Sequence, residues 1–134
     1  MEKAGMGRDR RIMVAMVDLA VTYRELQLMP EAEALVSRAL HLMEETLGKD
    51  HPQTISAMLD LSVIYQSQNK PDAAKELAET VLARRERIFG KNHPDTVGAL
   101  EKFEEYHIEA GQRAYLGSLE DQMKVTEESY INLL

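Results

Sequence analysis

The chain has 134 residues, 44% hydrophobic but only 5% aromatic, with no Trp and no Cys. That length suits one domain, and the lack of thiols excludes a disulfide framework or a thiolate metal site and leaves a reducing compartment, the cytoplasm, as the expected setting. A formal net charge of −7 argues against nucleic-acid binding; no apolar run nears the roughly 20 residues of a membrane span, and the polar Met1–Arg11 stretch is unlike a signal peptide.

In chain order, residues 1–8 are expected to be loose. Met16, Leu19, Ala20 and Tyr23 recur at helical steps and predict a first helix near 9–28, packing through Met16, Leu19 and Tyr23. Pro30 stands where a second helix, 30–47, should begin, since the first turn tolerates a missing N–H. Ala32, Leu35, Val36, Ala39, Leu40 and Met43 form its apolar face. Gly48 suits a left-handed C-cap there, with Lys49 favourable at the negative helix end. Pro52 opens a third helix (52–68), Pro71 a fourth (72–89) closed by Gly90, and Pro94 a fifth (94–110). A sixth is expected at 112–132.

The order of these signals repeats. Leu47-Gly48-Lys49-Asp50-His51-Pro52-Gln53-Thr54 returns 42 residues later as Phe89-Gly90-Lys91-Asn92-His93-Pro94-Asp95-Thr96. The same offset superposes Met16, Met58 and Leu100, then Leu19, Leu61 and Phe103, then Tyr23, Tyr65 and His107, and it pairs Ala32 with Ala74. A period of that size signals stacked helix pairs, an architecture with a long binding face and usually no catalytic cleft. The two His-Pro pairs carry no second His at ligand spacing, so no metal is expected; the Gly-Lys pairs lack the upstream Gly of a phosphate loop, so they read as C-caps.

Met16-Leu19-Ala20-Tyr23-Ala32-Val36-Ala39 and Met58-Leu61-Ser62-Tyr65-Ala74-Ala78-Val81 resemble the consensus of tetratricopeptide repeat (TPR) proteins. The 42-residue unit, longer than the usual roughly 34, is similar to the kinesin-light-chain type and to arrays at the C-termini of nucleotide-binding signalling ATPases. The resemblance covers about residues 12–111. It implies an all-α, right-handed solenoid of about three antiparallel helix pairs, with repeats over 9–111. It also implies a non-catalytic protein-interaction role, with no cofactor. The third unit departs from the pattern: Glu104 and Leu116 stand where small residues belong. Leu116, Leu119, Met123 and Tyr130 run close to a heptad seam interrupted by Thr126, so 112–134 reads either as a degenerate cap for the stack or as a helix that pairs with another subunit.

In the resembled family the first helix of each repeat lines a concave surface that holds a peptide. Mapped onto this chain, that surface includes Val14, Val17, Asp18, Val21 and Arg24, then Ser56, Leu59, Asp60, Val63 and Gln66. The valines lie off the expected packing face and so read as ligand surface. Asp18 and Asp60 replace the Asn that grips a peptide backbone in the kinesin-light-chain pattern. An ionised carboxylate only accepts hydrogen bonds, which points to backbone N–H groups or to a Lys or Arg of a basic partner; the alternative is an internal pair, Asp18 with Arg24 or with a neighbouring helix. The Lys and Asn of repeats that clamp a C-terminal carboxylate are absent here, with Val17 and Val21 in those places. From Asp95 onward nine acids oppose three bases, an acidic surface that either stays solvated or attracts such a partner. Two rival readings remain, a homodimerising self-assembly unit and a fragment of a larger signalling ATPase or motor adaptor. An enzyme is disfavoured, because no nucleophile–base pair, metal cluster or phosphate loop is legible.

Overall fold

A computed structural model describes the backbone of residues 2–134 and the side chains from Arg10 onward. Five helices follow one another: α1 (Glu2–Glu25), α2 (Met29–Thr46), α3 (Pro52–Ser67), α4 (Pro71–Phe89) and α5 (Pro94–Leu133). Each packs on the next, and α1 also touches α3, which makes an α-solenoid. Two antiparallel pairs, α1/α2 and α3/α4, are complete, and α5 opens a third.

The turns repeat as the sequence does. Gln27 and Asn69, 42 residues apart, both take left-handed backbone conformations, at φ 64° and 60°. Leu28 N–H then donates to the Tyr23 carbonyl and Lys70 N–H to the Tyr65 carbonyl, at 2.8 and 2.9 Å, closing each first helix with a backbone cap. That is why α1 ends at Glu25 and not near residue 28. Gly48 and Gly90 hold φ 92° and 89°, a conformation that costs a residue with a Cβ. His51 and His93 cap the helices that follow: each Nδ1 accepts the N–H two residues on, at 3.1 Å, so the repeated histidines serve helix starts.

Ala32, Val36 and Ala39 of α2, and Ala74, Ala78 and Val81 of α4, are completely buried. Around Ala32 lie Ala20, Val36, Leu61 and Ile64, with Val17, Tyr23 and Tyr65 at the edge. The small residues let the helices approach closely. A second cluster joins Ile55, Met58, Val81 and Ala99, and a third joins Ala74, Ala78 and Tyr106. Tyr106 is buried against α4 with its hydroxyl 3.4 Å from Ser62 Oγ.

Three expectations need correction. The backbone of residues 2–8 continues α1 where loose chain was expected: no proline interrupts it, and helix propagation is easier than nucleation. Leu19, expected in the packing face, is 45% exposed, whereas its repeat equivalent Leu61 is 5% exposed. Leu61 rests on the preceding helix pair, against Ala20, Ala32 and Val36.

The third correction concerns the end of the chain. No sixth helix forms, because α5 runs unbroken for 40 residues, about 60 Å. Gly111 does not stop it. Gly48 and Gly90 are followed by a loop and a His-Pro start, but Gln112, Arg113 and Ala114 are good helix formers. The Arg113 guanidinium donates to the carbonyl of Asn69, tying the middle of α5 to the turn before α4. Beyond it the helix leaves the stack, and from Ala114 to Leu134 every residue but Gly117 is exposed. Residues 112–134 therefore do not fold back as a cap on their own stack.

Candidate peptide-binding groove

The exposed flanks of α1 and α3 face a cleft of about 230 Å³ lined by Val14, Val17, Asp18, Met43, Pro52, Gln53, Ser56, Ala57 and Asp60. Helical spacing explains the set. Val14, Val17 and Asp18 lie one turn apart on α1, and Gln53, Ser56, Ala57 and Asp60 do the same on α3. Arg10 Nε donates to Gln53 Oε1 at 3.2 Å, bridging the two helices at one end. Val14 and Asp18 also border a shallower hollow with Arg10, Arg11 and Ala15, which extends the α1 side of the surface.

Five of the expected groove residues thus share one cleft: Val14, Val17, Asp18, Ser56 and Asp60. Val17 also packs against two core clusters, so it serves the fold as well as the surface. Val21, Arg24 and Val63 are half-buried and lie outside the cleft. Leu59 packs on the Ile55/Met58/Val81 cluster, which makes it mainly a core residue. Gln66 is engaged with α5, its amide nitrogen donating to Glu105 Oε1 at 2.7 Å and Glu109 Oε1 at 3.0 Å. It lines a second, larger hollow of about 530 Å³ with Asn69, Arg113 and Leu116. Met43, Pro52, Gln53, Ala57 and Arg10 are not among the groove residues expected from the sequence. Running the Asp60 register back two turns along α3 would have found Gln53; Met43 gave no signal, being a core position of α2.

The electrostatics of the cleft are distinctive. Burial pushes the Asp60 carboxyl above its ordinary value; the Arg24 and Arg85 charges oppose that shift and the charge of Asp18 adds to it. Among the described residues neither Asp18 nor Asp60 has an ion-pair partner within 4 Å, so the internal pair of Asp18 with Arg24 does not form. Two carboxylates close enough to repel each other therefore flank an apolar floor made by Val14, Val17 and Ala57. Nothing in this arrangement supplies a nucleophile with a base, and no group of three or more His, Cys, Asp or Glu among the described residues is placed to hold a metal ion. No described helix is long and apolar enough to cross a membrane.

Similar architecture occurs in crystal structures of nearly identical TPR-like repeats from a Podosopora anserina protein described as a kinesin light chain. One of them, a single-residue variant, superposes with a TM-score of 0.66 at 22% identity, covering 84% of this chain and 53% of that one. A second gives 0.65 at 23% identity, covering 84% and 54%. The chain thus spans about half the length of these structures, and at such identity the likeness is one of fold. No curated protein is significantly similar in sequence. Residues 11–87, more than half of the chain and the whole run from α1 into α4, match the tetratricopeptide repeat family. The period, the paired alanines at the helix crossings and the stacked helix pairs agree with that match, and the chain belongs to the tetratricopeptide repeat family.

Proposed function

We propose that the chain is a non-catalytic adaptor that binds a peptide or helical segment of another protein along the α1/α3 groove. Repeats of this family generally mediate protein–protein interaction, which sets the class of function. The choice of ligand rests on one observation, the pair Asp18 and Asp60 beside an apolar floor with no ion-pair partner within 4 Å among the described residues. A carboxylate kept partly from water without a partner is unfavourable. A Lys or Arg of the ligand would relieve both the burial of Asp60 and its repulsion by Asp18, while apolar ligand residues cover Val14 and Val17. Specificity then comes from the charge pair and affinity from the apolar contact.

The test is fluorescence anisotropy with fluorescent peptides of matched apolar content, carrying Lys/Arg, neutral or Glu residues at the centre. Basic peptides should bind best, and the preference should weaken with salt. Asp18→Asn with Asp60→Asn should cut their affinity roughly tenfold or more, which corresponds to about 1.4 kcal/mol, and leave neutral peptides little changed. Tighter binding of acidic peptides, or indifference to the double substitution, would refute this ligand class.

A further inference from the structure

The exposed half of α5 carries an ordered apolar seam. Leu116, Leu119, Met123, Thr126, Tyr130 and Leu133 follow one another by alternating steps of three and four residues, the a and d positions of three consecutive heptads. All are open to solvent, from 36% exposure at Leu119 to 85% at Leu133. On a helical wheel the mean direction of this seam lies roughly 160° from that of Thr96, Ala99 and Tyr106, the positions that α5 buries in the stack. From Leu119 onward the seam therefore points away from its own chain, while Leu116 borders the hollow beside Asn69 and Arg113. Two copies laid seam to seam would carry their stacks on opposite sides, clear of each other.

We propose that residues 112–134 pair with the same segment of a second copy as a parallel, in-register, two-stranded coiled coil. The flanking positions choose the orientation. Glu120 and Glu127 occupy e positions, Tyr115 and Gln122 g positions. A parallel pair sets e against g, so Gln122 meets Glu127 of the partner subunit and Tyr115 meets Glu120 of the partner subunit, a hydrogen-bond donor against a carboxylate each time. An antiparallel pair sets e against e and brings Glu120 towards Glu127 of the partner subunit, like charge against like. The acids also leave no basic flank that would select a different acidic helix. Thr126 interrupts the seam and the coil is short, so association depends on concentration. Each dimer presents two copies of the α1/α3 groove.

Light scattering on a size-exclusion column, over about a hundredfold range of concentration, should show the mass rising from 15.2 kDa towards twice that value. Leu119→Glu should hold the chain at the protomer mass without lowering the melting temperature, since Leu119 lies outside the core clusters. Leu133→Cys, in a chain with no other Cys, should oxidise to a linked dimer if the helices are parallel; antiparallel pairing separates the two sulfurs by roughly 25 Å. A protomer mass at every concentration overturns the proposal. So does a dimer untouched by Leu119→Glu, which would place the interface elsewhere, and a dimer that fails to cross-link would overturn the parallel orientation.

Discussion

Replacing Ala32 by Leu is the most direct test of the helix crossings. Ala32 is completely buried, and Ala20, Val36, Leu61 and Ile64 surround it from α1, α2 and α3. Leu adds three heavy atoms where a single Cβ now fills the space, and overpacking of that kind costs about 1–3 kcal/mol. An unfolding entropy of about 2.1 cal/mol/K per residue over the chain gives about 0.28 kcal/mol/K, so the melting temperature should fall by about 4–11 °C. Ala34→Leu is the control, the same substitution on an exposed position of the same helix, expected within about 0.5 kcal/mol of the parent. Thermal melts followed by circular dichroism at 222 nm (the usual helix band, roughly) would compare the three proteins. Equal shifts for the two variants, or none at Ala32, would refute the crossing.

The chain already contains a version of this experiment. Ala32, Ala74 and Leu116 are successive equivalents at the 42-residue period. The two alanines are completely buried beneath returning helices, while Leu116 is 58% exposed on a helix that never turns back. A Leu at that crossing would hold a sixth helix off α5, so the packing gain that could repay breaking α5 at Gly111 is missing.

Two further outcomes follow from buried polar groups. Because the folded-state value of the Asp60 carboxyl is raised, protonation favours the native state; stability from this site is lost as pH rises through the raised value and is regained in full only below the ordinary 3.8. Asp60→Asn should therefore raise the urea midpoint at about pH 7, and the gain should vanish below about pH 4; a gain independent of pH would mean that the charge of Asp60 is not its cause. Thr54 and Thr96, equivalent by the repeat, bury hydroxyl oxygens with no hydrogen-bond partner in the structure. Thr→Val at either site should leave stability unchanged or raise it by up to about 1 kcal/mol, and a loss of that size in denaturant melts would reveal a hydrogen bond to water.

Much of the fold was legible because period and punctuation agreed. Gly48 and Gly90 advertise a left-handed cap, Pro52 and Pro94 a helix start, and the alanines at 32 and 74 a close crossing. The reversals at Gln27 and Asn69 were less legible, for Gln carries no intrinsic preference for positive φ and adopts it when packing of α2 on α1 requires it. Leu19 misled because its sequence neighbourhood matches that of Leu61; burial depends on what precedes the helix in space. Gly111 misled in the same way. A glycine ends a helix only when the residues after it leave the helical path, and those after Gly111 do not. For the groove, the family resemblance supplied the two flanks as an expectation, and Val17 and Leu59 are shared with the core. Half-burial of an aliphatic side chain on a helix edge is compatible with either role, and only the neighbouring helix decides.

The charges near the groove divide into two kinds, and the division narrows where a ligand cation would sit. Glu105 and Glu109 on α5 share the amide of Gln66, and Glu105 Oε2 also accepts from Lys102 Nζ at 3.4 Å. These two carboxylates are held by donors from their own chain, and an incoming Lys would have to displace those donors to gain them. Asp18 and Asp60 have no such partners among the described residues. Asp60 feels Arg24 and Arg85 only at a distance, too weakly to offset its burial. On the proposed reading, a ligand cation would gain most at the α1/α3 end of the groove, although the fifth helix carries more acids. Relative to the kinesin-light-chain pattern that the sequence resembles, Asp stands in place of Asn at 18 and 60. An amide at each place would donate and accept within a peptide backbone, whereas two ionised carboxylates can only accept. On the proposed reading, that pair would favour a positively charged ligand side chain over a negatively charged one.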